Sequence, residues 1–296
     1  MLMQQILNGF ITGAVYALFA LGFNLIFGVY KIMNLAHGAV FMASAFAGLV
    51  IVNSGITFWV AFVCAMLAGG VLSVIVDLVA IRPLRGRGDA EFSVMVSTIG
   101  ANLVLMTIFQ SLSSTRIFRF PSDTLPIVFF YPFDLRLSFL QILIIAVTIV
   151  ILVLLGVYLY VTNFGRQVRA VAGNDRTATL LGINPNLIYF QTFFISGMLA
   201  GASGVLIGIA FNSVHFLMGE PYMLRAFVVM ILGGLGSLSG AVVAGLLLGI
   251  LQNLTSVYLP TGLSDIIIFS LLFITLVFKP QGLFGDKVEG IGLRVK

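Results

Sequence analysis

Nine runs of apolar residues alternate with short polar breaks along this chain. The runs lie at about 4–29, 38–53, 56–80, 92–112, 138–161, 188–211, 222–236, 239–258 and 262–278. A transmembrane helix needs about 20 apolar residues, so most of these runs are long enough to cross a bilayer. The seventh run is short and interrupted by Gly233-Gly234-Leu235-Gly236-Ser237, which is typical of a broken or re-entrant helix. We therefore predict an all-α fold, a polytopic transmembrane bundle of about 8–10 spans.

Composition supports this prediction. Hydrophobic residues make up 60% of the 296 residues and charged residues 8%, and the mean hydropathy is +1.16. A soluble domain carries about 25% charged residues, so a soluble single-core protein is excluded. We expect residues 1–285 to form a single transmembrane domain and residues 286–296 to form a short cytoplasmic tail.

Few residues are available for metal or nucleic-acid chemistry. Cys64, His37 and His215 are too few and too scattered for a structural zinc site, so no metal is expected. The net charge of +5 is small and lies in loops. It therefore indicates membrane orientation rather than nucleic-acid binding.

Basic residues are divided unequally between the two sides that nine crossings would create. With the N-terminus outside, eleven basic residues fall inside and four outside. The inner ones are Lys31, Arg82, Arg85, Arg87, Arg166, Arg169, Arg176, Lys279, Lys287, Arg294 and Lys296; the outer ones are Arg116, Arg119, Arg136 and Arg225. Because cytoplasmic loops carry the excess of Lys and Arg, we predict an outer N-terminus and a cytoplasmic C-terminus.

A long polar connection, about residues 162–187, interrupts the otherwise apolar second half of the chain. It is basic and capable of forming a helix, and the predicted orientation places it in the cytoplasm. Two interpretations remain open: the segment is an anchor that only fixes topology, or it contacts a partner outside the bilayer.

Glycines, 32 in all, recur at helical spacing within the runs. They form ridges on the first, sixth and eighth runs at Gly9 and Gly13, at Gly197, Gly201, Gly204 and Gly208, and at Gly245 and Gly249. Small residues four apart let helix backbones approach closely in lipid. Tight packing explains most of them, and some can form an interface that slides or opens.

Polar side chains within the runs are candidates for a transport path. Asn24 continues the glycine face of the first run, and Thr98 and Asn102 share one face of the fourth. Such residues either line a wet cavity or form hydrogen bonds between helices. Ionisable groups are nearly absent from the runs, and the carboxylates Asp77 and Asp265 both lie near the ends of runs. Their scarcity argues against proton- or sodium-coupled transport.

Catalytic motifs are weak. Gly201-Ala202-Ser203-Gly204 resembles the motif of intramembrane serine proteases, but His215 is twelve residues further on and His37 lies at a boundary between runs. Neither histidine is expected within hydrogen-bond reach of Ser203, so we predict no catalytic residue. No lysine follows a glycine in a phosphate-binding loop, so any ATP must be used by a separate polypeptide.

Five motifs at the breaks occur in a characteristic order. They are Ile32-Met33-Asn34-Leu35-Ala36-His37-Gly38, Gly165-Arg166-Gln167-Val168-Arg169-Ala170, Leu181-Gly182-Ile183-Asn184, Gly233-Gly234-Leu235-Gly236-Ser237 and Lys279-Pro280-Gln281-Gly282-Leu283-Phe284-Gly285. In these motifs the chain resembles the membrane permease subunits of branched-chain amino acid ABC importers, and specifically the shorter of the two related permeases. Gly173 and Lys279 depart from the usual pattern, which more often has a polar residue and an arginine there.

This resemblance implies a division of labour. A periplasmic binding protein delivers the ligand, this chain and a second homologous permease form the path in the lipid of the bacterial inner membrane, and two cytoplasmic ATPase subunits bind ATP and magnesium. The chain itself would be a transport subunit with no cofactor. A homodimer of permeases remains an alternative to the heterodimer.

The resemblance also assigns residue roles. Coupling to the ATPase would fall to the 162–187 segment, at Gly165, Arg166, Arg169, Ala170, Gly182 and Asn184. Helix breaks or hinges would lie at Asn34, His37, Gly38, Gly233, Gly234, Gly236 and Ser237. Within this hypothesis, Asn24, Thr98 and Asn102 line the path.

Substrate and class alternatives remain at this stage. Related permeases serve urea, short amides or other amino acids, because the binding protein usually sets selectivity. A secondary transporter or channel would work without ATPase subunits, and a structural scaffold would tolerate polar substitutions in the path. The ordered motifs and the scarcity of buried charge favour the importer.

Overall fold

A computed structural model describes residues 2–85, 90–131, 135–260 and 262–285. The predicted tail at 286–296 and the basic residues Arg87, Lys287, Arg294 and Lys296 lie outside these ranges.

Eleven α-helices make up most of the described chain, as predicted for an all-α membrane protein. They are α1 (Leu2–Tyr30), α2 (His37–Asn53), α3 (Phe58–Val76), α4 (Ala90–Ser113), α5 (Phe139–Val161), α6 (Asn163–Gly173), α7 (Asp175–Leu180), α8 (Pro185–Ala210), α9 (Gly219–Gly233), α10 (Leu238–Tyr258) and α11 (Leu263–Phe278). A π-helical turn, Asp77–Ile81, and a 3-10 turn, Arg82–Leu84, extend α3. Two short antiparallel strands, β1 (Phe129–Phe130) and β2 (Leu137–Ser138), pair in the connection before α5.

Six helices are long and apolar enough to cross a membrane: α1, α3 with its extension, α4, α5, α8 and α10. Shorter apolar helices are α2 and α11, and α9 has 15 residues. The centre of the bundle is α1, which packs on α8, α9 and α10, while α4 lies at the periphery with most of its surface exposed. The lipid-facing surface is therefore provided mainly by the outer helices.

Glycine ridges form the closest helix contacts, as the sequence predicts. A methyl group on Gly13 would lie 2.8 Å from the Cα of Leu246, because α1 and α10 touch backbone to backbone there. The α3–α8 contact is similar, where a methyl group on Gly201 would lie 2.7 Å from the carbonyl oxygen of Ala65. Such contacts replace the hydrophobic effect as the force that holds helices together in lipid.

The N-terminal ends of α2 and α9 pack against each other inside the bundle. Non-helical residues 31–34 and a turn precede α2, and a methyl group on Gly38 would lie 3.0 Å from the carbonyl oxygen of Gly219, the first residue of α9. The other end of α9 is Gly233, and Gly234 follows with a φ of 108°. The chain is therefore interrupted at both places where the sequence predicts helix breaks.

Candidate translocation path and coupling segment

A cavity of about 530 Å³ lies at the end of the bundle that holds the N-terminus of α1. We call it the Arg225 cavity. Its polar lining comprises Asn8, Thr12, Tyr16, Ser138, Gln141, Tyr222, Arg225, Gln252, Asn253 and Ser256. Its apolar lining comprises Ile11, Val15, Leu140, Ile144, Ile207, Ala210 and Phe211. Mixed linings of this size suit small-molecule ligands.

A second cavity, of about 730 Å³, lies at the opposite end, beside α6. We call it the Arg169 cavity. Its lining includes Asn24 of α1, Lys31 directly after α1, Arg169 from α6, Ser237 before α10, and Gln281. Each cavity is lined by residues of α1, α5 and α10.

The middle of α1 separates the two cavities. Residues 17–21 of α1 lie between the stretches that line them, and every one of these five is at most 2% exposed. The bundle thus holds polar pockets at both ends and closely packed apolar residues between them.

Asn24, a predicted path residue, lines the Arg169 cavity and also fastens the turn after α9. Its Nδ2 donates to the carbonyl oxygen of Ser237 at 2.8 Å, and the Gly236 N–H donates to its Oδ1 at 2.7 Å. The predicted break residues Gly236 and Ser237 are therefore tied directly to α1. Residues after α11 contact the end of α9, because the N–H of Leu283 donates to the carbonyl oxygen of Leu232 at 2.7 Å.

Thr98 and Asn102, the other predicted path residues, lie on the peripheral helix α4, and neither lines the two cavities. Thr98 is buried, and its Oγ1 accepts a hydrogen bond from the Leu35 N–H at 3.2 Å. It therefore supports the non-helical segment before α2. The proposed role of these two residues in the path stays a prediction.

His37 and Asn34 form a buried polar site at the same break. His37 stacks on Phe19 with ring centroids 4.8 Å apart. Within the described chain, neither ring nitrogen of His37 has a hydrogen-bond partner, and nor does Nδ2 of Asn34. The hinge role predicted for these two residues stays a prediction.

Ser203 shows no catalytic arrangement. Its hydroxyl donates within its own helix, to the carbonyl oxygens of Leu199 at 2.9 Å and Ala200 at 3.0 Å. The serine therefore belongs to the glycine ridge of α8.

The polar connection at 162–187 folds into the two short helices α6 and α7. Thr162 caps α6 by accepting from the Gly165 N–H at 3.1 Å, and Asn174 caps α7 by accepting from the Thr177 N–H at 3.0 Å. Asn184, a predicted coupling residue, likewise caps α8. These side chains satisfy N–H groups that a helix start leaves unpaired.

One face of α6 is buried against the bundle. Gly165, Val168 and Val171 are buried, and Gly165 lies directly on the carbonyl groups that end α5, so close that a methyl group would overlap them. The Arg169 side chain donates to the carbonyl oxygen of Leu159 in α5. The last turn of α5 and the helix α6 are therefore in direct contact.

The predicted coupling arginines differ in their surroundings. Arg166 is exposed and donates to the Oδ1 of Asn163 on its own helix. Arg169 instead bonds α5 and lines the Arg169 cavity, while Ala170 is half-buried beside it. Both arginines are exposed, and they differ in that Arg169 bonds a second helix whereas Arg166 bonds its own.

Sequence reasoning missed an apolar surface at the tip of this segment. Leu180 is 87% exposed and Leu181 75% exposed, just before Gly182, whose φ is 81°. Charged and polar residues of α7 surround them, among them Asp175 and Arg176. Two large apolar side chains exposed side by side on a polar connection are a candidate interaction site.

A bundle of apolar helices with a polar cavity at each end is an architecture that suits a membrane transport protein. The chain belongs to the family described as branched-chain amino acid transport system, permease component, whose match covers residues 5–276.

Known relatives match over nearly the full length. The chain is 30% identical to the high-affinity branched-chain amino acid transport system permease protein LivH of Escherichia coli strain K12, over 96% of this chain and 95% of that protein. It is 29% identical to BraD of Pseudomonas aeruginosa, with the same coverage. Among solved structures, PsaBC from Streptococcus pneumoniae in complex with Fab matches with a TM-score of 0.53 at 15% identity, over 93% of this chain and 91% of that one. This last similarity concerns the fold alone.

Proposed function

We propose that this chain is a membrane subunit of an ATP-driven importer for branched-chain amino acids. It would act with a second permease, two cytoplasmic ATPase subunits and a substrate-binding protein in a bacterial inner membrane. The observation that carries the proposal is the pair of cavities at opposite ends of α1, closed from each other by residues 17–21. Family membership supports it, since LivH and BraD are described as permeases for these substrates.

Closed packing between two cavities is what alternating access requires. A carrier exposes its site to one side at a time, and its energy source must stabilise one arrangement over the other. Since α5 lines both cavities and is fastened to α6 at its last turn, it can pass movement from the coupling segment to both. ATP binding by a partner would supply the difference in free energy.

Basic residues support a cytoplasmic position for the coupling segment. Arg85 stacks on the rings of Tyr30 and Tyr189 at the α6 end of the bundle, with its Cζ 3.5 Å from the centroid of the Tyr189 ring. Arg136 lies at the other end, where its backbone N–H donates to Gln4 at 2.9 Å. The positive-inside rule applied to the whole chain then directs the α6 end to the cytoplasm and the Arg225 cavity to the outside.

Leu180 and Leu181 are the residues that we expect an ATPase subunit to cover. Full burial of a leucine side chain contributes about 1.5–3 kcal/mol, so the pair can contribute much of the docking free energy. Arg166 on the neighbouring exposed surface suits an acidic or carbonyl partner.

The test replaces the leucines with glutamates, Leu180→Glu together with Leu181→Glu, in the tagged permease. Wild-type permease extracted in mild detergent should retain ATPase subunits, and the double variant should lose them together with ATP-driven leucine uptake in proteoliposomes. Ile127→Glu is the matched control, because Ile127 is 77% exposed at the opposite end of the bundle. The control should retain its ATPase subunits.

Two results would overturn the proposal. One is undiminished ATPase retention and uptake by the double variant, which would remove the coupling assignment. The other is uptake by purified wild-type permease alone without ATP, which would indicate a secondary transporter or channel.

A further inference from the structure

The Arg225 cavity contains a cation that the importer mechanism above leaves without a role. Arg225 lies on α9 with its side chain 19% exposed. Charged side chains within membrane helices are costly to bury, face the interior or a wet cavity, and mark functional sites by default. The position therefore needs an explanation beyond packing.

The protein only partly satisfies this guanidinium group. Its Nη2 lies 3.4 Å from Oδ1 of Asp265, a carboxylate whose side chain is 59% exposed. Exposed ion pairs of this kind contribute little. The rings of Tyr16 and Tyr222 lie 5.9 and 5.8 Å from its Cζ and hold the group over the cavity. The Tyr16 hydroxyl is a further hydrogen-bond partner of Arg225. Because a guanidinium has five N–H donors in a planar fork, donors remain for another acceptor.

Oxygen acceptors are part of the same lining. Gln252, Asn253 and Thr12 all line the cavity, and each carries a side-chain oxygen. An oxygen acceptor suits an ammonium group, which offers three N–H donors.

Apolar side chains complete the cavity. Ile11 and Val15 of α1, Ile144 of α5 and Ile207 of α8 form a surface that suits a branched aliphatic group. One site thus combines a cation, an oxygen acceptor and an aliphatic wall, which are the three features that a free aliphatic amino acid requires.

We infer that the Arg225 cavity is a substrate site that holds an aliphatic amino acid by its α-carboxylate through Arg225. Side-chain oxygens of the polar lining accept from the α-ammonium group, and the isoleucine and valine side chains contact the aliphatic side chain. This inference rests on the proposed function for its substrate class. Arginine pairs with carboxylates in a bidentate geometry, so the site selects free acids over amides.

The experiment uses the whole transporter in lipid nanodiscs without its binding protein. The apparent Kd is taken from thermal stabilisation at increasing concentrations of L-leucine, L-leucinamide and 4-methylvalerate. Wild type should bind L-leucine in preference to L-leucinamide, which lacks the carboxylate. Arg225→Gln should weaken L-leucine binding about ten- to hundredfold, as expected for a lost hydrogen-bonded charge, and should abolish the preference.

Three further variants separate recognition from a structural role. Arg225→Lys keeps the charge without the fork and should bind at an intermediate level. Asp265→Asn breaks the ion pair but leaves the guanidinium free, so it should bind L-leucine at least as well as wild type. Arg136→Gln, at the same end of the bundle but outside the cavity lining, is the control for removal of a positive charge.

Two outcomes would overturn the inference. They are unchanged L-leucine affinity in Arg225→Gln, and equal losses in Arg225→Gln and Asp265→Asn, which would mark a purely structural ion pair. Neither outcome affects ATPase retention by Leu180 and Leu181, so failure of this site is distinguishable from failure of the proposed function.

Discussion

Replacement of Gly13 by alanine tests whether backbone contact between α1 and α10 holds the centre of the bundle. The added methyl group would lie 2.8 Å from the Cα of Leu246 and 2.9 Å from the carbonyl oxygens of Gly245 and Leu246. All three neighbours are backbone atoms, so no side chain can rotate away. The helices must separate by several tenths of an ångström, and overpacking of this kind costs about 1–3 kcal/mol.

Gly156→Ala provides the opposite case. Gly156 lies within α5, and nothing beyond its own helix would approach an added methyl group within 4 Å. Alanine favours a helix over glycine by about 0.8–1.0 kcal/mol, so this variant should be neutral or stabilised. The same chemical change is thus expected to alter the free energy of unfolding in opposite directions, with a difference of about 2–4 kcal/mol.

The measurement is the temperature at which detergent-solubilised permease loses its monodisperse size-exclusion peak after brief heating. Gly13→Ala should lose the peak several degrees below wild type, and Gly156→Ala at or above wild type. If Gly13→Ala proved as stable as Gly156→Ala, the close approach of α1 and α10 would not be a source of stability, and the packing argument would be refuted.

Three further substitutions test single hydrogen-bonded positions by the same heating assay. Asn24→Leu leaves the Gly236 N–H unpaired and removes one of the two hydrogen bonds that the Ser237 carbonyl oxygen accepts, the other being donated by the Ala241 N–H. It should destabilise the protein by about 1–3 kcal/mol, and full stability would show that the amide is dispensable. Thr98→Val removes the acceptor of the Leu35 N–H and should lower the free energy of unfolding by about 1 kcal/mol. Asn102→Leu on the same face should lower it less, and the reverse order would contradict the structure. Ser138→Ala removes the hydrogen bond that the Gln141 N–H donates to the Ser138 hydroxyl oxygen in the capping box of α5 and should cost about 1 kcal/mol, with Ser138→Asp as the rescuing control.

Helix positions follow from the sequence because the membrane imposes them locally. The apolar run at 138–161 becomes α5 at Phe139–Val161, and the run at 239–258 becomes α10 at Leu238–Tyr258. Glycine spacing likewise predicts close contacts, because only small residues permit them. Both signals depend on residues near one another in the chain.

The cavities could not be predicted in this way. The Arg225 cavity is lined by residues from α1, α5, α8, α9 and α10. The spacing of apolar residues predicts each helix but does not predict which helices pack together. Arg225 itself was assigned only to the outer side, where its charge fits the topology count. Leu180 was overlooked because a leucine in an apolar chain carries little information until its 87% exposure is known.

The two ends of α5 explain how one helix can serve both sites. Its first turn is fastened to α1, since Nε2 of Gln141 donates to Oδ1 of Asn8 at 3.1 Å, and both residues line the Arg225 cavity. Its last turn holds α6 through Thr162 and Arg169, and Arg169 lines the other cavity.

Side-chain hydrogen bonds between membrane helices contribute only about 0.6 kcal/mol each, so the contact at the first turn can break at a cost that ATP binding easily covers. The glycine contacts of α1 with α10 and of α3 with α8 are far harder to separate. Within the proposed function, α5 is therefore the element that moves, and the glycine-packed helices are the frame against which it moves.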